Sequence, residues 1–218
     1  SNGGSASSQS VEMIENRDPA ISSVSISPSS PSSQDSVTCS VVSSDLDGET
    51  LTESMEWFVA GSSVSTSMTL DLSSVGASPS DLVECVATVT DPSGASDQSS
   101  TSVSVVNTNP TIDVLTLTPN EPTLNDTLSC YAESSDLDGD TPTIGFSFTN
   151  QTTGSVYSPT TTSTNVATLD VSSTDADYEH ILTCEVTSTD ANGGTGLDSI
   201  SVTIVNTAPV FDQGAVIT

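Results

Sequence analysis

The segment SVTCSVVSSDLDGETLTESMEWF at residues 36–58 decides the fold, and it recurs as TLSCYAESSDLDGDTPTIGFSFT at residues 127–149. In each copy a cysteine precedes the loop Asp-Leu-Asp-Gly, and an aromatic residue, Trp57 or Phe148, follows the cysteine by eighteen positions. Apolar and polar residues alternate on both sides of the loop, which is typical of β-strands with one buried face. The chain is therefore an internal repeat built from β-strands.

A second pair of cysteines extends the repeat towards the C-terminus. Cys39 and Cys130 are 91 residues apart, whereas Cys85 and Cys184 are 99 residues apart. Eight additional residues must therefore lie in the second copy, between Phe148 and the next matched segment. We expect this insertion to lengthen a hairpin after the third strand.

The motif Asn-x-x-Pro begins at positions 16, 107 and 206 and marks the connections between repeats. It predicts one domain over 16–107 and another over 108–206. Residues 1–15 then correspond to the last strand of a preceding repeat, and 207–218 to the first strand of a following one. Two explanations remain for these terminal strands: the chain is a window of a longer repetitive polypeptide, which we favour, or the strands pair with neighbouring copies.

Alternation between turn-rich gaps predicts six strands in each copy. They are expected near 20–27, 36–42, 54–60, 67–72, 82–90 and 98–106 in the first copy, and near 111–118, 127–133, 143–149, 165–171, 180–188 and 197–205 in the second.

The amino-acid composition excludes several kinds of partner. The chain of 218 residues carries 29 Asp and Glu against the single basic residue Arg17, for a net charge of −28. Nucleic acid and anionic membrane surfaces are excluded as partners because no cationic patch exists. No apolar run approaches the ~20 residues of a membrane span, so we expect no membrane insertion of this segment.

The four cysteines indicate an oxidising compartment. They form no CxxC motif or Cys/His cluster, so they predict two disulfides and an extracellular or cell-surface location.

The order Cys39, Trp57, Cys85 resembles the immunoglobulin pattern of a second-strand cysteine, a third-strand tryptophan and a sixth-strand cysteine. The second copy keeps this order as Cys130, Phe148 and Cys184. The resemblance implies an all-β protein of two tandem immunoglobulin-like antiparallel β-sandwiches. It also implies one inter-sheet disulfide in each, Cys39–Cys85 and Cys130–Cys184.

More narrowly, the Asn-x-x-Pro linkers and Asp-Leu-Asp-Gly loops resemble the immunoglobulin-like and cadherin-like repeats of large bacterial or archaeal surface proteins. One feature departs from antibody-type domains. The tyrosine expected two residues before the second cysteine is replaced by Val83 in one copy and Leu182 in the other.

The acidic loops are the constellation most suited to binding an ion. In such a sandwich the loops that follow the two cysteine strands lie at one end, beside the preceding linker. Several carboxylate and amide oxygens would then converge, as Ca²⁺ requires. The alternative is that these residues only form Asx turns. The predicted calcium ligands are Asn16, Asp18, Asp45, Asp47, Glu49 and Asp91 in the first copy, and Asn107, Asn109, Asp136, Asp138, Asp140 and Asp190 in the second.

The sequence offers few residues for catalysis. The chain has one histidine, His180, and lacks lysine and any GxSxG motif, so ordinary catalytic triads and Schiff-base sites have no residues to form them. We therefore expect no enzyme activity. Asn125 and Asn150 match the N-glycosylation pattern and are candidate sugar acceptors.

These features favour a non-catalytic structural segment of an extracellular filament, sheath, stalk or adhesin. Its expected partners are neighbouring copies or adjacent repeats of the same protein. Bound Ca²⁺ would stiffen the joint between domains. The alternative is a carbohydrate- or protein-binding accessory module of a secreted multidomain protein, which would need an exposed aromatic patch.

Overall fold

The computed structural model describes residues 15–207 of the chain. The terminal strands expected within 1–15 and 207–218 lie outside this range, apart from Glu15 and Thr207. The chain divides between Val106 and Asn107 into two compact units. Within residues 15–207, the structure contains no helix with the length and apolar character needed to cross a membrane.

The first unit is a sandwich of two antiparallel sheets. One sheet has the order β1-β2-β5 and the other β4-β3-β6-β7. Its strands are β1 (Ala20–Ser27), β2 (Ser36–Ser44), β3 (Thr52–Val59), β4 (Ser62–Ser65), β5 (Thr69–Asp71), β6 (Leu82–Thr90) and β7 (Ser96–Ser104).

The second unit repeats this topology with one additional strand. Its sheets have the orders β12-β13-β9-β8 and β11-β10-β14-β15. Its strands are β8 (Thr111–Thr118), β9 (Thr127–Ser135), β10 (Thr143–Asn150), β11 (Val156–Tyr157), β12 (Thr160–Ser163), β13 (Val166–Asp170), β14 (Ile181–Thr189) and β15 (Thr195–Thr203).

The cysteine strands form the centre of each core because their alternate side chains face the opposite sheet. In β6, for example, Val83, Cys85, Ala87 and Val89 are all buried and alternate with half-exposed residues. The predicted bridges are confirmed: Cys39 is bonded to Cys85, and Cys130 to Cys184.

The aromatic residues on the third strand of each unit belong to these cores. Trp57 and Phe148 are both fully buried within their clusters. The Trp57 indole nitrogen Nε1 donates a hydrogen bond to the carbonyl of Ser67 at 2.8 Å, so its polar atom is satisfied inside the core.

The insertion in the second unit lies in the predicted interval and is divided between two places. It lengthens the turn between β10 and β11, and it adds β12, which pairs with β13. The first unit has no strand equivalent to β12, and β5 is the edge of its three-stranded sheet. The additional strand therefore covers a sheet edge that the first unit leaves open.

Candidate metal centres

In the first unit, the linker that precedes β1 is bound to the loops that follow β2 and β6. Asn16 Nδ2 donates to Asp91 Oδ2 at 2.8 Å, and the Arg17 amide donates to Asp47 Oδ2 at 2.7 Å. Pro19, the last residue of the motif, is buried. The linker and the two loops therefore converge at one end of the sandwich, as the sequence predicts.

The two loops are shaped by their aspartates. Asp45 Oδ1 accepts the amide of Asp47 at 2.6 Å, and Asp91 Oδ1 accepts the amide of Ala95 at 2.9 Å. The bond between Asp45 and the Asp47 amide is an Asx turn, as in the alternative interpretation, and the bond between Asp91 and the Ala95 amide closes a turn between residues four positions apart. Each turn uses only one oxygen of its carboxylate for this purpose.

Three carboxylates of the first unit lie close to one another, and two of them have an oxygen without a hydrogen bond. Asp45 Oδ2 and Glu49 Oε2 are buried without a hydrogen-bond partner. One carboxylate oxygen from each of Asp45, Glu49 and Asp91 lies within 4.8 Å of the others. An ion at the ~2.3–2.6 Å of a Ca²⁺–oxygen bond could touch all three, since oxygens on opposite sides of it would be separated by about 5 Å.

The second unit builds an equivalent centre. Asn107 Nδ2 donates to Asp190 Oδ2 at 2.8 Å, and the amide of Thr108 donates to Asp138 Oδ2 at 2.6 Å. Asp136 Oδ1 accepts the amide of Asp138 at 2.7 Å. Two oxygens are again buried without a hydrogen-bond partner, Asp136 Oδ2 and Asn107 Oδ1.

Gly194 allows the linker to approach this second centre closely. A β-carbon at this position would lie 2.7 Å from both Asn107 Nδ2 and Asn109 Oδ1, and would also collide with Asp190 Oδ2. These three side chains therefore occupy the space that any other residue type would fill. The first unit has Ala95 at the equivalent position.

The four oxygens without a hydrogen-bond partner are all located at the two candidate centres. Among the side chains that the structure describes, which leave out residues 161 and 162, these four are the buried nitrogen or oxygen atoms without a hydrogen bond. Leaving such an atom unpaired costs about 1–3 kcal/mol, more for a charged group. The four are Asp45 Oδ2 and Glu49 Oε2 in the first unit, and Asn107 Oδ1 and Asp136 Oδ2 in the second.

Within each centre, one carboxylate has a raised pKa and another has a lowered pKa. Burial, followed by repulsion from Asp91, raises the pKa of Glu49 above its usual value, and burial likewise raises the pKa of Asp136. The hydrogen bond from Asn16 lowers the pKa of Asp91, and the bond from Asn107 lowers the pKa of Asp190. Each centre therefore holds one carboxylate that is stabilised as an anion beside one that is destabilised, and a bound cation would relieve the latter.

The structure does not bring every predicted ligand to the same point. Asp47 and Asp138 each turn one oxygen to the backbone of the linker. Asp18 is exposed, whereas its counterpart Asn109 approaches the centre beside Gly194. Asp140 accepts a hydrogen bond from Asn192 Nδ2 at 3.1 Å.

Asn192 and Gly194 contact side chains of the candidate centre, and the sequence prediction did not include them. The Asn-Gly-Gly sequence at 192–194 signals a turn, and nothing in that signal shows that its side chains reach the acidic loop. The signal that could have found Gly194 is its difference from Ala95 at the equivalent position.

The two glycosylation candidates lie in contrasting surroundings. Asn125 is exposed. Asn150 is fully buried, and its Nδ2 donates to Asp175 Oδ1 at 3.0 Å. An N-linked sugar on Asn150 would have to displace this packing, and glycosylation at either asparagine stays a prediction.

Comparison with known proteins yields structural neighbours and no sequence family. No protein-family model matches the chain, and no curated protein does. The structure of a 1.5-MDa bacterial ice-binding adhesin matches 88% of this chain and 66% of its own, with 16% identity and a TM-score of 0.38.

Two further neighbours are also modular β-proteins. The fibronectin(III)-like modules of Clostridium thermocellum CbhA match 84% of this chain and 94% of theirs, with 17% identity and a TM-score of 0.34. A tetra-tandem repeat from the extending region of a large adhesion protein matches 83% of this chain and 48% of its own, with 19% identity and a TM-score of 0.35.

The fold assignment rests on the chain's own strand order and disulfides. Both units place two antiparallel sheets face to face, with a disulfide between the second strand and the strand that pairs with the third. This arrangement, with an aromatic residue buried on the third strand, is the immunoglobulin-like sandwich. The protein is an all-β tandem of two immunoglobulin-like domains.

Proposed function

We propose that this chain is a non-catalytic structural segment of an extracellular adhesin, stalk or filament, and that calcium stabilises both of its domains. The supporting observation is the set of four partnerless buried oxygens, all located where linker and acidic loops converge. In each repeat one of the two oxygens belongs to an equivalent aspartate, Asp45 or Asp136. The other belongs to Glu49 in the first repeat and to Asn107 in the second.

Calcium is the cation that suits these donors. The groups that converge are carboxylate and amide oxygens, which favour hard cations such as Ca²⁺ and Mg²⁺ over Zn²⁺ or Cu²⁺. The cysteines are all in disulfides, and the single histidine lies outside both centres. Magnesium demands near-ideal octahedral geometry at ~2.0–2.1 Å, whereas calcium accepts irregular sets of six to eight oxygens, with water completing the shell.

Binding at these centres would act on the connection between repeats. The amide of Val106 donates to the carbonyl of Pro31 at 2.8 Å in the first unit, and the next residue, Asn107, is bonded to Asp190 in the second. The equivalent bond occurs in the second unit, where the amide of Val205 donates to the carbonyl of Pro122 at 2.8 Å. The residue after Val205 is Asn206, the first residue of the next linker motif. An ion held by Asn107 and the acidic loops would fix this short connection to its own domain.

The disulfides suit an extracellular structural role. They close loops of 46 and 54 residues, for which the chain-entropy argument gives about 4 kcal/mol each. Such bonds persist in oxidising compartments. They would protect each domain against unfolding when the assembly is stretched or heated.

The binding-module alternative lacks an aromatic surface in the part of the chain that is described. Between residues 15 and 207, Tyr178 is the one strongly exposed aromatic side chain, and the large aromatics Trp57 and Phe148 are buried. A sugar-stacking platform would require several exposed rings together.

A melting experiment tests the calcium proposal. Trp57 is the only tryptophan, so its fluorescence reports the first unit. In Asp45→Asn the oxygen that accepts the Asp47 amide is kept, and the partnerless oxygen is replaced by an NH₂ group. We expect Ca²⁺ at about 100 times its Kd to stabilise the wild-type unit by about 2.7 kcal/mol, and Asp45→Asn to abolish this gain.

Asp71→Asn is the matched control, because Asp71 forms the same kind of local turn with Ser73 away from the centre. It should retain the full calcium response. Identical melts of the wild type in excess Ca²⁺ and in excess chelator would reject the proposal.

The structural role has its own test. Antibodies against this chain should decorate regular appendages or layers on the surface of the native cells in electron micrographs. A native protein found as free monomers with a saturable affinity for one sugar would replace this proposal with the binding-module alternative.

A further inference from the structure

The two candidate calcium centres differ in one carboxylate. In the first unit, Glu49 Oε2 is buried without a hydrogen-bond partner, and one carboxylate oxygen of Glu49 lies within 4.8 Å of oxygens of Asp45 and Asp91. Its counterpart Asp140 in the second unit instead accepts a hydrogen bond from Asn192 Nδ2 at 3.1 Å. In the described part of the chain, Asp136, Asp140 and Asp190 do not form a group as close as the first-unit trio.

The residue opposite this carboxylate accounts for the difference. Position 192 is asparagine, whose amide reaches across to the acidic loop. The equivalent residue of the first unit is Ser93, whose shorter side chain donates to Asn16 Oδ1 at 3.1 Å and leaves Glu49 to face the centre. Asn192 is exposed, so this contact is a surface bond that a substitution can remove without disturbing the core.

In the second centre, neutral amide oxygens lie near Asp190, and the Asp140 carboxylate is hydrogen-bonded to Asn192. Asn107 Oδ1 is buried without a partner, and Asn109 Oδ1 lies beside Gly194 near Asp190 Oδ2. Amide oxygens ligate Ca²⁺ but contribute no charge. Because calcium affinity depends on the number of charged ligands, two carboxylates with amides should bind less tightly than three carboxylates.

We infer that the first unit binds calcium more tightly than the second, and that Asn192 sets this difference by holding Asp140 away from the ion. The inference rests on the proposed calcium function and adds an order of filling. As the calcium concentration rises, the first centre fills before the second. The linker at residues 107–110 is then fixed only at the higher concentration.

Isothermal titration of the chain of residues 1–218 with CaCl₂ tests the order of filling. Asp136→Asn leaves the first centre intact, and Asp45→Asn leaves the second. We expect the Kd measured in Asp45→Asn to be roughly 10-fold higher than that in Asp136→Asn, the size of effect that contacts to metal ligands commonly produce. Adding Asn192→Ser to Asp45→Asn should tighten the second centre by a similar factor.

Asn125→Ser in the same background is the control, because Asn125 is an exposed asparagine of the same unit, away from the acidic loops. It should leave the Kd unchanged. Equal affinities of the two centres, or an Asn192→Ser variant that binds calcium no more tightly, would overturn this inference while leaving the calcium function in place. Absence of any binding heat in the wild type would overturn both.

Discussion

At the scale of single residues, the aspartates of the acidic loops have two separable tasks. One oxygen of Asp45, and one of Asp136, accepts a backbone amide and builds the turn. The other oxygen of each is buried without a partner. The turn explains why an aspartate or asparagine stands at these positions, but it does not explain a second oxygen left unpaired at a cost in stability. The cation that we propose would account for this second oxygen.

Gly194 provides a test of the second centre at the residue scale. A β-carbon here would collide with Asp190 and crowd Asn107 and Asn109, so Gly194→Ala must displace the linker from the loop. We expect it to destabilise the second unit by about 1–3 kcal/mol, as overpacking does. It should also weaken calcium binding there. Chemical denaturation and calorimetry measure the two effects.

The matched control for this substitution is Gly145→Ala. A β-carbon at Gly145 would meet only the carbonyl oxygen of Thr187 at 3.8 Å, an ordinary contact. It should leave calcium binding unchanged. Normal binding in Gly194→Ala would show that the close approach of the linker plays no part in the site.

At the scale of elements, the inserted hairpin of the second unit is attached by a polar network that the first unit lacks. Asn150 at the end of β10 donates to Asp175, and so do the hydroxyl groups of Ser155 and Tyr157. The equivalent positions of Asn150 and Asp175 in the first unit are Val59 and Gly76. The network therefore accompanies the insertion and holds it against the segment that follows β13.

This network predicts a dependence of stability on pH. The hydrogen bonds from Ser155 and Tyr157 hold the pKa of Asp175 well below its usual range. A carboxylate whose pKa is lowered on folding stabilises the protein above its unfolded pKa of about 3.9, and this contribution is lost as the pH falls through the folded value. We expect Asp175→Asn to lower the Tm of the second unit at about pH 5, and the gap to the wild type to narrow towards pH 3.

Scanning calorimetry at several pH values measures this gap. The control is Asp177→Asn, since the Asp177 carboxylate accepts the amide of the adjacent residue Tyr178 through Oδ1, an acceptor that asparagine retains. A gap that stays constant from pH 5 to about pH 2 would show that the charge of Asp175 does not stabilise the hairpin.

The elements also show how far the sequence predicts the structure. All six strands expected in each unit are present, and most of them carry apolar residues at alternate positions that face a core. The exceptions are short, as in β5, or polar, as in β7, where Val103 is the one apolar residue. The short strands β4, β11 and β12 were missed. They lie at sheet edges, and segments such as SSVS and TTTS contain too few apolar residues to signal a buried face. Pairing with the adjacent strand, and not burial, places them.

The candidate site was predictable to the level of the loops and no further. The repeated linkers and acidic loops indicate which segments converge, and the structure brings Asn16 to Asp91 and Asn107 to Asp190. Which oxygen is consumed by a turn, and which remains for an ion, depends on side-chain rotamers and hydrogen-bond competition. The contact between Asn192 and Asp140 joins residues 52 positions apart, and no local pattern specifies it.

At the scale of the whole molecule, each domain carries its own disulfide, and each bridge should stabilise the domain that contains it. Replacing Cys39 and Cys85 together by alanine releases a loop of 46 residues. We expect a loss of about 4 kcal/mol from the first unit, measured by urea unfolding followed through Trp57 fluorescence. The matched variant without Cys130 and Cys184 should affect that fluorescence transition far less. A larger effect from the second pair would contradict the assignment of one bridge to each domain.

The repeated pattern predicts one calcium centre in each unit of the chain. Two centres of related design stand at equivalent positions, one in each unit, and both use the linker that precedes the domain. A chain of several such repeats would carry one centre for each linker. Calcium would then stabilise every domain and limit the freedom of every connection in the array.

The most direct test of this account is a count of calcium ions bound to the full chain by isothermal titration, compared with the double variant Asp45→Asn, Asp136→Asn. The account predicts two ions per chain in the wild type and none at these centres in the double variant, which still folds with both disulfides formed. Absence of calcium binding by the wild type, or undiminished binding by a folded double variant, would contradict it.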